Sequence, residues 1–216
     1  MDVKKQIVDF FIPRNKIMLS IILFVLSIVF SFISIICFPA DSRYNISPDM
    51  SPVFMMQYFC ISLFNILVVV SLGYFCFSLV RKHRMNKSMK FIHDELLKKA
   101  YSELLNLTKY NSVSMKGALL TRSFLFIKTG YIIPVDKIIW IYQHKLVYRY
   151  ILIPMRAEIS MVICTDDKKY MVQLTKKERK ETINKFVMMV LEANSNIMIG
   201  YSESNEQLYH AILKQK

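Results

Sequence analysis

The sequence predicts an α+β membrane protein, in which two transmembrane helices precede an antiparallel β-sheet or partial barrel capped by an α-helix. Three observations predict this fold class. No charged residue occurs from Ile17 to Ala40, or from Pro52 to Val80. After Asn111 the apolar pattern changes to short β-type runs, and a helical period returns after Thr175. The length of 216 residues suits one modest domain joined to a membrane anchor.

Each uncharged stretch is long enough to cross a bilayer, because a hydrocarbon core needs about 20 apolar helical residues. A buried core helix rarely lacks charges on every face over such a length. A cleaved signal peptide has a shorter apolar run and a small-residue cleavage site. We therefore place transmembrane helices at 17–38 and 55–80, joined by a short external loop at 39–54.

The basic residues near the span ends predict the orientation. The N-terminal segment 1–16 contains Lys4, Lys5, Arg14 and Lys16, and the external loop contains only Arg43 with two aspartates. The second span is followed by Arg81, Lys82, Arg84, Lys87 and Lys90. Since Lys and Arg accumulate on the cytoplasmic side of short loops, both termini are expected in the cytoplasm. The expected location is the inner (plasma) membrane.

The positive charge lies mainly after the second span. The chain has a net charge of +13, and residues 81–216 contain 24 Lys and Arg against 12 Asp and Glu. A basic domain tethered to an anionic leaflet gains about 1 kcal/mol per Lys or Arg near the surface. We prefer this interpretation to nucleic-acid binding. It makes anionic membrane lipids the expected partner, with headgroup contacts from Arg81, Lys82, Arg84, Lys87 and Lys90.

The sequence predicts a basic neck followed by an amphipathic helix within residues 81–110, with the helix over 88–107. The predicted apolar stripe of that helix consists of Met89, Ile92, Leu96, Ala100, Leu104 and Leu107. The strands that follow are predicted at 118–128, 131–135, 138–142, 146–153, 158–164 and 170–174. They form one curved or closed sheet, with a polar turn at 165–169.

The last part of the chain predicts two helices. Thr175 and Glu178 have the spacing of a capping box. The apolar stripe of the helix that follows consists of Ile183, Phe186, Val187, Val190 and Leu191. A short strand at 197–201 and a final helix capped by Ser204 complete the prediction.

The segment Gly130–Tyr142, GYIIPVDKIIWIY, and the later Gly200-Tyr201-Ser202 resemble parts of two-pass bacterial membrane proteins with a pleckstrin-homology-like (PH-like) cytoplasmic domain. The resemblance covers roughly 113–202 and implies a PH-like cytoplasmic domain over 111–216. Phosphoinositide-binding relatives use a basic loop between the first two strands, where this chain offers only Arg122 and Lys128. The resemblance therefore assigns no ligand residues. An abundance of Ile, Lys, Asn and Phe also suits an AT-rich bacterial genome.

No catalytic pattern is recognisable in the sequence. The four histidines are scattered, and the four cysteines include no C-x-x-C pair, so no metal or cofactor is expected. Asp166-Asp167 is explained more readily by a turn than by a catalytic pair. The aromatic residues Trp140, Tyr142, Tyr148 and Tyr150 suit packing on a sheet better than stacking on nucleic acid. We expect no enzymatic activity.

The leading hypothesis is a two-pass membrane protein that presents its cytoplasmic module for protein or lipid interaction, as a scaffold, regulator or sensor. Its protein partner would be an unidentified protein or a second copy of the chain. The alternative is a subunit of a membrane transport or secretion assembly, in which the spans form the functional interface. A third possibility, a membrane-bound enzyme, requires a deep polar pocket in the module.

Overall fold

The computed structural model describes residues 3–37, 52–107, 112–150, 153–175 and 180–215. The protein is α+β, and the described residues form six α-helices and two sheets. The chain divides into two compact units. One is Val8–His83, and the other combines Met1–Ile7 with Arg84–Lys216. The predicted external loop 39–54 lies mostly outside the described residues.

The first three helices are α1 (Val3–Phe11), α2 (Arg14–Cys37) and α3 (Pro52–Met89). Within α3, Ile61–Met89 is long and apolar enough to cross a membrane, and only 11% of its most apolar window is buried. The apolar part found in α2, Ile17–Phe30, is shorter. The described part of the chain therefore contains one helix that meets the length and composition of a membrane span.

Among the side chains of α2 and α3 that the structure describes, four buried polar ones are serines. They are Ser20 and Ser27 on α2, and Ser71 and Ser78 on α3. The two members of each pair are seven residues apart, which places them on one helix face. Phe30 stacks on Phe64 with ring centroids 5.1 Å apart, so α2 and α3 are neighbours. Small residues of this kind allow two apolar helices to approach closely.

The larger unit contains two four-stranded sheets. The first is antiparallel and has the order β1 (Val113–Ser114), β2 (Ala118–Leu120), β3 (Phe124–Ile127), β4 (Tyr131–Pro134). The second has the order β7 (Lys169–Leu174), β6 (Ile153–Thr165), β5 (Ile138–Tyr150), β8 (Met198–Ile199). Strand β8 pairs with β5 in parallel, and the other neighbours are antiparallel. The helices of this unit are α4 (Asp94–Leu105), α5 (Lys180–Ala193) and α6 (Glu203–Lys214).

The main core contains residues from both sheets and from α5. Leu125 of the first sheet, Ile163 of the second and Phe186 of α5 are all fully buried in it. Because side chains alternate along a strand, Trp140 points to the opposite face of the second sheet from its neighbour Ile141. There it packs in a smaller cluster with Tyr209 of α6. The second sheet is thus covered on both faces.

The prediction of one sheet is wrong, since the strands divide into two. The division falls at a 3-10 turn, Val135–Lys137, which separates β4 at the edge of the first sheet from β5 in the second sheet. The two runs predicted at 138–142 and 146–153 are mostly one continuous strand, β5. Pro154 does not end a strand but lies within β6, next to an irregular register between Tyr148 and Arg149. A proline is tolerated at such a bulge because the regular hydrogen-bond ladder is already broken there.

The neck also differs from the prediction. The span helix α3 continues through the basic residues to Met89, and α4 begins only at Asp94. Met89, Ile92, Ala100 and Leu104 of the predicted apolar stripe are buried as expected. Leu97 is buried in place of the predicted Leu96, which is 43% exposed. Glu103 of α4 is buried and accepts a hydrogen bond from the Ser123 backbone N–H at 3.1 Å, which attaches α4 to the first sheet.

The last two helices follow the predicted order. Helix α5 buries Phe186 and Val190 as expected, although Leu191 is exposed. The predicted capping box includes Glu178, which lies outside the described residues, so it remains a prediction. The cap of α6 is Ser202 rather than Ser204, because the Ser202 hydroxyl accepts a hydrogen bond from the Asn205 N–H at 3.1 Å.

Candidate anionic-headgroup site at the neck

The C-terminal end of α3 is fixed to the first sheet. Met85 and Met89, four residues apart on one helix face, are each only 1% exposed. Between them, the Ser88 hydroxyl accepts a hydrogen bond from the Ile132 N–H of β4 at 3.3 Å. The end of α3 from Arg84 onward therefore packs on the first sheet and belongs to the larger unit.

Two cationic side chains meet at one aromatic ring beside this attachment. The Arg84 guanidinium lies 5.9 Å from the ring centroid of Tyr131, and the Lys168 ammonium lies 4.4 Å from it. Lys168 is also 4.9 Å from the ring of Tyr170, which packs edge-on against Tyr131 at 5.1 Å. Contacts of this geometry attract a cation to a ring face. We call Arg84, Lys168, Tyr131 and Tyr170 the neck cluster.

The β6–β7 turn brings Lys168 to the neck cluster. The Thr165 N–H donates to the Lys168 carbonyl at 3.0 Å, and the Thr165 hydroxyl bonds to Asp167 and to the same carbonyl. These bonds close the turn that the polar sequence 165–169 predicts. The turn is thus confirmed, and it holds Lys168 against Tyr131 while Lys168 itself remains exposed.

The five predicted headgroup residues divide between the two units. Arg81 is partly buried and Lys82 is exposed, and both belong to the unit that ends at His83. Lys87 and Lys90 are exposed at the end of the neck. Among these five, Arg84 is the residue whose described contacts place it beside a second cation, because Arg84 and Lys168 lie over the same Tyr131 ring. Sequence reasoning missed Lys168 and the tyrosines, because 165–169 was interpreted only as a turn.

The neck cluster can bind an anion but offers little for acid–base chemistry. An arginine guanidinium matches the oxygen geometry of a phosphate, and a lysine ammonium adds a point charge. Burial raises the pKa of the Tyr170 phenol, with a smaller contribution from Asp167, so the phenol stays neutral at physiological pH. The cluster therefore presents two cations on an aromatic support, and the carboxylates of Asp166 and Asp167 lie close enough to act on Tyr170.

A second concave feature lies between α4, the 3-10 turn and α5. It is an open cleft of about 1010 Å³. Lys99, Arg122 and Lys185 line it, but so do Asp136, Glu181 and Glu192. Because these charges have both signs, the cleft itself favours neither an anionic nor a cationic ligand. We base the candidate site on the neck cluster because two cations contact one ring there, at the end of the apolar helix α3.

The cluster around Trp140 contains Cys164, whose thiol is buried. The side chain is fully buried, and burial raises the pKa of the Cys164 thiol to about 11. Burial also raises the pKa of the Tyr209 phenol to about 12, and its hydroxyl donates to the Thr165 carbonyl at 2.9 Å. At neutral pH the thiol is protonated and is therefore a poor nucleophile.

Alkaline pH is expected to destabilise the module through Cys164. A thiol has a pKa of about 8.5 in an unfolded chain, so the unfolded state loses its proton first. The contribution of Cys164 is fully present below about pH 8.5 and is lost as pH rises towards 11. We expect the denaturation midpoint to fall over this range, and to fall less in Cys164→Ala. If the denaturation midpoint falls equally in the wild type and in Cys164→Ala, the loss of stability does not come from Cys164.

The described residues do not gather a metal-binding set. Within the described ranges, no group of three or more His, Cys, Asp or Glu side chains is placed to hold a metal ion. Comparisons of the chain with known protein families, with curated proteins and with solved structures find no match.

Proposed function

We propose that this chain is a two-pass membrane protein that holds a PH-like module at the cytoplasmic face of the inner membrane, where the neck cluster binds anionic lipid headgroups. The module would act there as a scaffold, regulator or sensor. The observation that carries the proposal is the pairing of Arg84 and Lys168 on Tyr131, at the end of the apolar helix α3.

The exposure of the apolar helices supports a membrane environment. A helix in the core of a soluble protein would be mostly buried, but large apolar side chains of α3 such as Val69 and Val70 are 69% and 62% exposed. In α2, Met18 and Phe32 are 63% and 62% exposed. A patch of this extent in water would favour aggregation or association, whereas in a bilayer it contacts acyl chains.

The length of α2 supports a second span. The helix has 24 residues, which corresponds to about 36 Å at 1.5 Å per residue. Only Arg14 and Lys16, at its first turn, carry charge. The remaining uncharged residues suffice for a hydrocarbon core about 30 Å thick. Two spans would return the chain to the side from which it started.

The organisation of the module supports the PH-like proposal. Two sheets and α5 share one apolar core, which includes Leu125, Ile163 and Phe186. The segment Gly130–Tyr142 that carries the resemblance forms β4, the 3-10 turn and the start of β5. It therefore connects the two sheets, and it also contributes Tyr131 to the neck cluster.

We expect Arg84→Ala combined with Lys168→Ala to remove the preference of the protein for anionic lipid. Each cation near an anionic surface contributes about 1 kcal/mol, so losing two should lower relative headgroup affinity by about tenfold or more. The measurement is native mass spectrometry of the full chain from mixed phosphatidylglycerol and phosphatidylcholine, counting retained lipids of each class.

Lys137→Ala combined with Lys214→Ala is the matched control, because it removes the same charge from two exposed lysines outside the neck cluster. The control should retain the wild-type lipid preference. If both double variants lose the preference equally, binding depends on net charge alone and the neck cluster is not a site. If the wild type shows no preference for phosphatidylglycerol, the lipid-binding function is wrong.

A further inference from the structure

The cleft between α4, the 3-10 turn and α5 has a floor and an α5 wall that hydrogen bonds hold in place. At the floor, the Val135 N–H donates to the Ser123 carbonyl at 2.9 Å. At the end of the wall, the Asn194 side chain, directly after α5, donates to the Asp136 and Ile138 carbonyls at 3.3 and 3.1 Å. A partner at this cleft would therefore meet a preformed surface, which lowers the cost of ordering on association.

Helix α5 presents a continuous stripe of side chains to this cleft. The stripe consists of pairs of neighbours repeated every four residues along one side of the helix: Asn184, Lys185, Met188, Met189, Glu192 and Ala193. We call this stripe the α5 face. Met188 at its centre is 63% exposed, whereas Phe186 and Val190 of the same helix are buried in the core. An exposed methionine between charged residues is typical of a surface that packs against another protein.

The charges of the α5 face are arranged so that the face complements itself. Lys185 lies three residues before Met188, and Glu192 lies three residues after Met189. A two-fold axis between the two methionines would therefore place Lys185 of each copy opposite Glu192 of the other, in an antiparallel pair of helices. Met188 of each copy would then lie opposite Met189 of the other. Such self-complementarity is what a two-fold interface between identical chains requires.

Other arrangements fit these charges less well. A parallel pair of α5 helices would place Lys185 opposite Lys185 and Glu192 opposite Glu192, and like charges repel across an interface. An anionic lipid surface would attract Lys185 but repel Glu192. In the part of the chain that the structure describes, Lys185 and Glu192 form no ion pair with another residue, and both are exposed. The charges therefore favour a second copy of this chain in antiparallel orientation.

We propose that the α5 face is the contact between two copies of this chain, with the two α5 helices packed antiparallel about a two-fold axis between Met188 and Met189. The inference goes beyond the proposed function and does not depend on it. The contact joins two modules, and none of its residues belongs to the neck cluster.

A charge exchange in the full chain tests the pairing of Lys185 with Glu192. The proteins are the wild type, Lys185→Glu, Glu192→Lys and the double variant, and native mass spectrometry from a mild detergent gives the fraction of dimer over a series of protein concentrations. Each single variant places like charges opposite each other at both ion pairs, so its dimer dissociation constant should rise by about tenfold or more. The double variant restores opposite charges with their positions exchanged, so its dissociation constant should return to within about threefold of the wild type.

Lys128→Glu is the matched control for Lys185→Glu, because Lys128 is an exposed lysine between β3 and β4 that does not line the cleft. It should leave the dimer unchanged. A wild type that stays monomeric at every concentration would overturn the inference and would leave the cleft to a different protein. A dimer that resists both single variants, or that the double variant does not restore, would show that the copies meet elsewhere or in another orientation, and would also overturn it. The lipid preference of the neck cluster is tested separately by Arg84→Ala with Lys168→Ala.

Discussion

Replacing Trp140 with alanine is expected to lower the free energy of unfolding of the module by about 3–5 kcal/mol. Trp140 is fully buried, and its ring centroid lies 4.3 Å from that of Tyr142 and 5.8 Å from that of Tyr209. Its indole N–H also donates to the Gly200 carbonyl at 2.7 Å. The substitution therefore leaves a large cavity and removes one of the hydrogen bonds that join β5 to the segment before α6.

The labelling rate of Cys164 measures this change, because the thiol is fully buried in the same cluster. A fall of about 3–5 kcal/mol in the free energy of unfolding should raise the population of the open, reactive state by about 10²–10³-fold or more. Tyr201→Ala is the control, since that ring stacks 6.0 Å from Trp140 but is 59% exposed. Similar labelling rates in Trp140→Ala and Tyr201→Ala would contradict the account of this cluster.

Arginine in place of Val69 is expected to raise the apparent free energy of membrane insertion of α3 by about 2.5–3.5 kcal/mol. Val69 is 69% exposed and lies within the apolar part of α3, eight residues after Ile61. A guanidinium at that depth cannot reach water without deforming the bilayer. The measurement is the insertion efficiency of α3 in a translocon-based assay.

Val80→Arg provides the matched control near the end of the uncharged stretch, where Val80 is 48% exposed. An arginine there can extend its charged end to the interface, so the cost should be much smaller. Equal costs at positions 69 and 80 would show that depth does not matter. In that case α3 would not cross the membrane in the proposed register.

Much of the module could be predicted from local pattern, and the errors have identifiable causes. The turn at 165–169 and the buried face of α5 follow from residue type and period, which depend on near neighbours. The division into two sheets was missed because the break at Val135–Lys137 resembles an ordinary connection between paired strands, and local pattern does not show that β4 and β5 belong to different sheets. The continuity of β5 was missed because Gln143 to Lys145 read as a loop, although strand pairing with β6 stabilises them.

The candidate site could be predicted only in part, because its members are far apart in the sequence. Arg84 was predicted from its position after an apolar stretch. Tyr131 and Lys168 join it only through the pairing of strands and the packing of α3 on β4, which no local pattern reveals. The continuation of α3 to Met89 was missed because the basic residues were taken as a boundary between two helices.

If two spans hold the module on the cytoplasmic side of the membrane, the predicted external loop and the module should differ in cysteine accessibility in intact cells. In a chain with its four native cysteines replaced by alanine, single cysteines are introduced at Ser47, in the predicted external loop, and at Leu208, which is 52% exposed on α6. A membrane-impermeant maleimide should label position 47 in intact cells and position 208 only after permeabilisation. Labelling of position 208 in intact cells, or protection of both positions until permeabilisation, would contradict the account.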